Sequence, residues 1–298
     1  MNKTITILTP TFNRGGDIEA LYKSIKAQHC KDFEWLIIDD GSTDKTPNIV
    51  AQWKKNSDFQ IRYVYNENGG KHTALNVGIK SIDSDLTFIV DSDDTLTSDA
   101  IETILRYHRR YGDENRLCGY TFLRQFPDGQ INGKSFEFNE MITNYIDARI
   151  NANDTIADKA EVFFTKCLKE FPFPEYSNEK FLGEDLVWIR MARKYDMVHI
   201  NKAIYVGNYM NNGLTKNRRK HNIESPIGCM HRAGEFLNND IPLKYRVKGA
   251  LQYVIYGRFA NFRLKEILHK TSEKFLILTM FIPGVYLYAK WKREYNKK

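Results

Sequence analysis

Residues 86–94 read Leu86-Thr87-Phe88-Ile89-Val90-Asp91-Ser92-Asp93-Asp94. The first five form a short apolar run rich in β-branched and aromatic side chains, and such a run predicts a buried strand. The next four place an acidic cluster at the end of that strand. An Asp-x-Asp pair directly after a predicted strand is a more specific signal than the same pair elsewhere, and it suggests a ligand site.

Apolar runs of the same kind come earlier, at Ile5–Thr9, Glu34–Asp39 and Ile61–Asn66. The first is short and polar residues follow at once, so we expect a strand and not a signal peptide. Amphipathic patterns between and after the runs predict helices at Asp17–Gln28, Thr46–Lys54, His72–Ser81 and Ser98–Tyr111. This alternation favours an α/β fold, with a mostly parallel sheet covered by helices on both faces. Later elements are expected at Leu117–Phe126 (strand), Pro127–Gly129 (turn), Glu184–Tyr195 (helix) and Met197–Ile200 (strand).

A second acidic cluster, Asp39-Asp40-Gly41-Ser42, closes the second predicted strand. Ligands of open parallel sheets bind outside the carboxyl ends of the strands, so we expect both clusters to face one crevice. These carboxylates would repel a sugar diphosphate unless Mg²⁺ or Mn²⁺, which suit oxygen ligands, lay between them. Such a cation would also stabilise the charge on a departing diphosphate. Alone, either cluster could be only a turn or a helix cap.

Three stretches resemble, in order and spacing, the N-terminal signatures of family 2 glycosyltransferases. They are Thr9-Pro10-Thr11-Phe12-Asn13-Arg14, Ile37-Ile38-Asp39-Asp40-Gly41-Ser42-Thr43-Asp44 and Val90-Asp91-Ser92-Asp93-Asp94. That family comprises inverting enzymes with the GT-A fold, a Rossmann-like, mostly parallel sheet with flanking helices. The resemblance implies that Thr9–Phe12 cradles the base of a nucleotide-sugar and that Asp39 accepts the uracil imide hydrogen. It also implies that Asp91 lies beside the ribose and a divalent metal, Mn²⁺ or Mg²⁺, and that Asp93 is the chief metal ligand.

The stretch Gly69-Gly70-Lys71-His72-Thr73-Ala74-Leu75-Asn76 also resembles a family segment, one that lies against the donor. A glycine such as Gly70 lets backbone approach a ligand closely, and Lys71 could offset phosphate charge. The alternative is an ordinary strand-to-helix turn with a solvated lysine.

Gly183-Glu184-Asp185-Leu186-Val187-Trp188 resembles the family's Glu-Asp motif at the start of a helix, in which the aspartate is the general base. The resemblance implies that Asp185 takes the proton of the acceptor hydroxyl and that Glu184 positions the acceptor or the base. Acidic residues also favour a helix start through the macrodipole, without any catalysis. The stretches Asp158–Phe163, Phe171–Tyr176 and Glu179–Phe181 look like a subgroup of the family and are expected on the acceptor side.

Two departures from the family pattern bear on the activity. No Gln-x-x-Arg-Trp motif follows the Glu-Asp pair, and processive members often carry one, so addition of single sugars is expected. A further metal ligand often comes from late in the domain, where Tyr209–Thr215 offers no histidine or acid. Just beyond, Arg218, Arg219 and Lys220 could close over the diphosphate or form a solvated basic loop.

From residue 222 onward the pattern is helical and basic. Residues 241–298 hold thirteen Lys and Arg against three Glu, a net charge of +10, whereas the whole chain carries +7. A near-neutral body with a basic tail fits an anionic membrane surface better than nucleic acid. Phe275–Ala289 is almost continuously apolar, yet its fifteen residues fall short of the roughly twenty that span a bilayer. Two interpretations stay open, an interfacial helix pair and a helical hairpin docked on the catalytic domain.

The sequence thus predicts a GT-A catalytic domain over residues 1–221 and a basic helical region over residues 222–298. Its four cysteines are irregularly spaced, without a Cys-x-x-Cys pair, which predicts reduced thiols in a cytoplasmic protein. The expected activity is transfer from a UDP-sugar to a glycan or lipid-linked acceptor at the inner membrane face, in polysaccharide biosynthesis. A sugar-1-phosphate nucleotidylyltransferase is disfavoured, because Thr11–Arg14 is not a glycine-rich loop. A non-catalytic glycan-binding or scaffold protein on the same fold is the other alternative.

Overall fold

The structure is a computed structural model that describes residues 3–154, 157–207 and 218–296. The chain divides into two compact units. The first unit contains Met1–Phe173 and Met191–Tyr209, and the second contains Pro174–Arg190 and Met210–Lys298. The second unit is therefore assembled from two segments that are separated along the chain.

The first unit is built on one sheet, in which the described residues form nine strands. Their spatial order is β3-β2-β1-β4-β8-β6-β9-β5, and β7 pairs with β9. In chain order they are β1 (Ile5–Thr11), β2 (Phe33–Asp39), β3 (Gln60–Tyr65), β4 (Leu86–Ile89), β5 (Thr95–Leu96), β6 (Leu117–Gln125), β7 (Met141–Thr143), β8 (Ala160–Phe164) and β9 (Asp196–Val206).

Helices flank this sheet and make up the second unit. Those of the first unit are α1 (Ile18–Lys26), α2 (Thr46–Asn56), α3 (Lys71–Lys80), α4 (Ala100–Tyr111) and α5 (Thr165–Glu170), with a π-helical turn at Ile146–Asn151. Helix α6 (Asp185–Ala192) begins in the second unit, which continues with α7 (Arg218–Glu224), α8 (Pro226–Glu235), α9 (Leu243–Phe259), α10 (Leu264–His269) and α11 (Lys274–Tyr295).

The predicted α/β architecture is confirmed. Strands β1 to β4 pair in parallel, and each lies within a few residues of its predicted bounds. Beyond β4 the sheet is mixed, because β8 runs antiparallel to both β4 and β6 while β6 and β9 are parallel. The predicted turn at Pro127–Gly129 is also present, with Gly129 at a φ of +86° and an antiparallel bridge between Gln125 and Ile131.

Close packing of α3 on β1 fixes the position of this helix beside the carboxyl ends of the parallel strands. Gly78 allows this approach, because a Cβ at that position would lie 2.4 Å from Leu8 Cδ1. Leu8 and Ile38 are fully buried beneath the helix, so the packing leaves no room for a side chain there. The N-terminal end of α3, which carries Lys71, is thereby held at the carboxyl ends of the parallel strands.

In the second unit, α8, α9 and α11 pack around a common apolar core that includes Met230, Val254 and Ile277. The break expected at Pro283-Gly284 is absent, because Phe275–Ala289 lies within one continuous helix that contains Pro283. Proline removes one backbone hydrogen bond, but the neighbouring Gly284 packs on α9, where a Cβ would lie 2.6 Å from Val254. None of the helices in residues 3–154, 157–207 and 218–296 combines the length and the apolar character that a membrane-spanning helix needs.

Candidate active site

The first unit gathers the predicted donor-binding motifs at one edge of the sheet. In register, Thr11 at the end of β1 pairs with Asp39 at the end of β2, and Asp39 pairs with Tyr65 at the end of β3. Asp91 follows two residues after the end of β4, which lies beside β1. The sheet therefore brings together residues that the sequence spreads over eighty positions.

Asp39 is fully buried, and both of its carboxylate oxygens accept hydrogen bonds. Oδ1 accepts from the backbone N–H of Ser42 at 2.7 Å, and Oδ2 accepts from the Tyr63 hydroxyl at 2.5 Å. Burial and this hydrogen bond to Asp39 raise the pKa of Tyr63 above its usual range, so the phenol remains a donor. Tyr63 orients the carboxylate, and no local pattern in the sequence pointed to it.

The segment Thr9–Phe12 at the end of β1 is partly buried and partly exposed. Thr9 and Pro10 are buried, and the Thr9 hydroxyl accepts from Trp35 Nε1 at 2.9 Å. Thr11 is 3% exposed, and its hydroxyl has no hydrogen-bond partner among the described residues. Phe12, by contrast, is 46% exposed at the edge of the sheet. A buried hydroxyl and an exposed aromatic ring side by side suit a ligand with both polar atoms and a flat apolar face.

Asn13 links the loop after β1 to the loop after β2. Its φ is +51°, a left-handed conformation that asparagine tolerates better than most residues. Its backbone N–H donates to Ser42 Oγ at 2.8 Å, and its side-chain oxygen accepts from the Thr43 N–H at 2.8 Å. The first two family-like motifs are thus joined by direct hydrogen bonds.

Asp40 holds the turn that precedes α3. Its Oδ1 and Oδ2 accept from the backbone N–H groups of Gly69 and Gly70 at 2.9 and 2.8 Å. Gly70 has a φ of +98°, which is open to glycine and strained for other residues. The second aspartate of the Asp-Asp pair is therefore structural, and it sets where α3 and Lys71 begin. Nothing in the sequence around Asp40 indicates this role.

Both acids of the Asp-x-Asp pair contact cations. Lys71 Nζ lies 2.5 Å from Asp91 Oδ1, and Arg14 Nη2 lies 3.4 Å from Asp93 Oδ2. Although burial opposes ionisation, the charges of Lys71, Arg124 and Arg14 lower the pKa of Asp91 below its usual value. Asp91 is therefore a carboxylate at neutral pH.

A network of buried hydrogen bonds holds the loop Asp91–Asp94 in place. The Tyr205 hydroxyl accepts from the Asp91 N–H at 3.0 Å and donates to Asp94 Oδ2 at 2.8 Å. Arg124 donates to the same Asp94 oxygen at 2.5 Å and stacks 3.9 Å above the Tyr205 ring. Ser92 is also buried, at 6% exposure. Arg124 and Tyr205 come from β6 and β9, so these contacts could not be seen in the motif itself.

The Asp-x-Asp pair fits a divalent cation by its chemistry. Two carboxylates are a usual protein contribution to a Mg²⁺ or Mn²⁺ site, because phosphate oxygens and water supply the remaining ligands. Within the part of the chain that the structure describes, no group of three His, Cys, Asp or Glu is arranged to hold a metal by itself. Tyr209–Thr215, where a third ligand was sought, lies outside the described residues.

The Glu-Asp motif lies in the second unit, where α6 begins at Asp185, one residue after the predicted helix start. Arg232 of α8 donates to both carboxylate oxygens of Asp185, from Nε to Oδ1 at 2.5 Å and from Nη2 to Oδ2. Burial works against ionisation, but the charges of Arg232 and Arg218 lower the pKa of Asp185. Gly183 leaves space for this pair, since a Cβ there would lie 2.8 Å from Arg232 Nε. Glu184 is half-buried, and its carbonyl accepts from the Val187 N–H at 2.9 Å.

The segment Pro174–Arg190 is tied to α8 by further polar contacts. Glu179 accepts from the N–H groups of Ile227 and Gly228 at 2.7 and 2.8 Å, so its carboxylate caps the N-terminus of α8. Other bonds join Tyr176 to His231, Phe181 to Ser225 and Arg190 to Glu235. Neither Arg232 nor this use of Glu179 is predictable from the sequence, because a contact between segments so far apart leaves no local pattern.

Other predicted residues have structural partners. Lys159, in the stretch expected on the acceptor side, is buried and lies 3.0 Å from Asp154 Oδ2 within the first unit. Arg218, Arg219 and Lys220 form the start of α7, where Arg219 lies 3.3 Å from Glu294 and Lys220 lies 3.9 Å from Glu224.

Comparison with known proteins places these features in a family. The profile of Glycosyl transferase family 2 matches residues 6–157. An uncharacterized glycosyltransferase of Rickettsia conorii is 31% identical over 204 residues, which are 67% of this chain and 32% of that protein. This chain therefore spans about a third of that relative's length. The GalNAc(5)-diNAcBac-PP-undecaprenol beta-1,3-glucosyltransferase of Campylobacter jejuni is 24% identical, covering 95% of this chain and 91% of the relative.

Among solved structures, residues 1–349 of S. aureus TarS in complex with UDP-GlcNAc align with a TM-score of 0.61 and 15% identity. The alignment covers 98% of this chain and 92% of that one, and it shows a shared GT-A-like fold. The family profile spans β1 to β4 and every strand-end motif of the first unit, and on this match the chain belongs to Glycosyl transferase family 2.

Proposed function

We propose that this chain is an inverting glycosyltransferase that moves single sugars from a UDP-sugar to a lipid-linked or surface-glycan acceptor. One observation carries the proposal: Asp39 ends β2 and Asp91 and Asp93 follow β4, the two parallel strands on either side of β1, and Lys71 and Arg14 pair with two of these acids. A nucleotide-sugar needs carboxylates to bind its nucleobase, its ribose and a metal ion, and it needs cations beside them to bind its diphosphate.

In the proposed donor complex, Asp39 accepts the imide hydrogen of uracil, and its fixed orientation by Tyr63 supports this role. The segment Thr9–Arg14 borders the base, where Thr11 offers a hydroxyl without a partner among the described residues and Phe12 an exposed ring. Gly70 and Lys71 face the diphosphate, and Ser92 belongs to the same donor-binding motif.

Asp91 and Asp93 would hold a Mn²⁺ or Mg²⁺ ion, and Asp91 is ionised for that purpose because cations lower its pKa. The ion, when bound, supplies positive charge that stabilises the departing diphosphate. Lys71 and Arg14, which now neutralise the two acids, carry the same sign of charge and would be drawn to the phosphates instead.

Asp185 acts as the general base in this proposal. It takes the proton of the acceptor hydroxyl as that oxygen forms a bond to the anomeric carbon and the bond from that carbon to the UDP oxygen breaks. Arg232 keeps the Asp185 carboxylate oriented and ionised. Glu184, the preceding residue, positions the acceptor.

The proposed acceptor is inferred from similarity to a relative, and the proposed place of action is inferred from the charge of the C-terminal region. The C. jejuni relative is named for transfer to an undecaprenol-linked glycan, and its alignment covers most of both chains. A basic C-terminal region suits the inner surface of a membrane. We therefore assign the chain to polysaccharide biosynthesis, as a peripheral protein of the cytoplasmic membrane face.

A thermal-shift panel of UDP, GDP, CDP and TDP, each with Mn²⁺ or with a chelator, tests the donor assignment without any acceptor. A rise in melting temperature selective for UDP and diminished by chelator is expected. A preference for GDP or TDP would overturn the donor class and keep the transferase. No shift with any nucleotide would favour a non-catalytic glycan-binding or scaffold role.

A further inference from the structure

Helix α11 carries a row of large apolar side chains that are exposed among the described residues. Its inward face is packed within the second unit, where Ile277 and Gly284 are buried and the rings of Tyr288 and Phe259 lie 4.8 Å apart. On the outward face, the exposed fractions of Phe275, Leu278, Ile282 and Tyr286 are 81%, 51%, 80% and 69%. Four large exposed apolar side chains on one helix call for a partner.

These four residues form one stripe along the helix. At 3.6 residues per turn their positions fall within an arc of about 80°, and the stripe from Phe275 to Tyr286 is roughly 16 Å long. It runs parallel to the helix axis, on the side opposite Ile277. A helix that buries apolar residues on one side and exposes them on the other is suited to lie flat against a second apolar phase.

The same outward face ends in positive charge. Lys290 and Arg293 follow Tyr286 on the exposed side, and neither takes part in an ion pair within the described residues. The two glutamates at the ends of the helix, Glu273 and Glu294, pair with arginines of the second unit at 2.7 and 3.3 Å. The outward face, as described, thus combines an apolar stripe with cations and carries no carboxylate.

We infer that the outward face of α11 binds an anionic lipid bilayer, with the helix lying in the plane of the interface. Phe275, Leu278, Ile282 and Tyr286 enter the boundary between headgroups and acyl chains, and Lys290 and Arg293 contact lipid phosphates. Charge favours this occupant over a second copy of the chain, because two such faces would bring together cations and no carboxylate to pair with them. The inference deepens the membrane part of the proposed function and names its surface.

Vesicle co-sedimentation tests the apolar stripe. The double variant Phe275→Ser, Ile282→Ser changes two side chains that are about four-fifths exposed, so the fold has little reason to change. We expect the wild type to bind vesicles of phosphatidylcholine with phosphatidylglycerol, and the variant to bind them roughly tenfold or more weakly. The matched control is Phe138→Ser, Ile142→Ser, at 57% and 52% exposure in the first unit, and it should bind as the wild type does.

A second pair of variants tests the charge. Lys290→Glu, Arg293→Glu should lower binding to the anionic vesicles by roughly tenfold or more, and 0.5 M salt should weaken wild-type binding in the same direction, at about a 4 Å screening length. Lys54→Glu, Lys55→Glu, on the exposed face of α2, makes the same change in net charge and should have little effect. Equal loss in both charge variants would reduce the effect to net charge and overturn the assignment.

Two further outcomes decide between occupants. Vesicle binding that is equal for the wild type and the Phe275, Ile282 variant would overturn the inference. If sedimentation velocity showed a wild-type dimer that this variant dissociates, the face would belong to a second copy. Because UDP thermal shifts are measured on the same proteins, failure of vesicle binding with intact UDP binding would leave the transferase proposal standing.

Discussion

Arg232 donates two parallel hydrogen bonds to Asp185, one to each carboxylate oxygen. A bidentate contact of this kind fixes the rotation of the carboxylate as well as its position. It also lowers the pKa of Asp185 against the opposing effect of burial. For a general base these two effects of Arg232 are opposed, because the contact orients the Asp185 carboxylate but makes it a weaker base. Removing Arg232 should therefore change the pH dependence of activity.

Replacing Arg232 with Met should move the acid limb of kcat/KM to higher pH. A general base works only when it is deprotonated, so activity falls as the pH drops through its pKa. Without the guanidinium the pKa of Asp185 rises, and the loss of activity begins at a higher pH. Initial rates measured from about pH 4 to 8 would report the shift. Arg219→Met, which removes a surface arginine of the same unit, is the control, and an unmoved limb in R232M would contradict the assignment.

Asp185→Asn should abolish transfer and leave UDP binding nearly intact. The amide keeps the size of the side chain but cannot accept the acceptor's proton, so a loss of roughly a hundredfold or more in kcat is expected. Single-turnover rates and UDP titration calorimetry on the same preparation separate the two effects. Retained transfer would show that another group is the base.

Asp39→Asn should weaken UDP binding by roughly tenfold, because a charge-assisted hydrogen bond to the base is lost. Tyr63→Phe keeps the carboxylate and removes only its 2.5 Å hydrogen-bond donor, so a smaller loss is expected. Titration with UDP and with CDP distinguishes a role in base recognition from general damage. A uniform loss for both nucleotides in D39N would remove Asp39 from uracil recognition.

Lys71→Met should weaken UDP binding but leave uridine binding almost unchanged. The lysine has its charge 2.5 Å from Asp91, at the edge where the diphosphate is proposed to bind. Its removal also leaves the Asp91 charge less compensated, which adds repulsion toward phosphate. Lys80→Met, at the other end of α3, is the matched control. Equal weakening for uridine and UDP would argue against a phosphate contact.

Gly70→Ala should destabilise the protein by about 1–2 kcal/mol, because φ at this position is +98° and an L side chain is strained there. Gly16→Ala is a suitable control, since a Cβ at Gly16 meets nothing within 4 Å. That variant should be neutral or slightly more stable. Urea unfolding of both would measure the difference, and equal free energies of unfolding would show that the turn before α3 adapts.

The sequence predicted what depends on local pattern. Strands β1, β2 and β4 are buried apolar runs and β3 is a partly buried one, so the apolar pattern and the polar residues that bound it located all four within a few residues. The acidic clusters were predicted at strand ends because an open parallel sheet has its ligand edge there. Asp185 was predicted at a helix start, and α6 does begin at that residue.

What the sequence did not reveal depends on contacts between distant segments. Tyr63 and Asp39 are twenty-four residues apart, and Arg232 and Asp185 are forty-seven apart, so neither pair leaves a motif. Helix α11 was misjudged for a different reason. Pro283-Gly284 reads as a break, yet Gly284 packs closely on Val254 of α9, and the helix continues through the proline.

The cap that Glu179 places on α8 links two segments that lie far apart in the sequence, and this link limits which of them can be exchanged alone between related chains. The stretch that carries Asp185 derives its shape from α8 through Glu179, Tyr176 and Arg190, although β9 and α7 separate the two along the chain. A recombination event or a designed chimera that exchanges only one of them would set these contacts between residues from different parents, and any contact whose residues do not match would be lost. Residues 174–190 and helix α8 therefore behave as one unit in recombination. An exchange of segments that changes acceptor preference is expected to need both from the same parent.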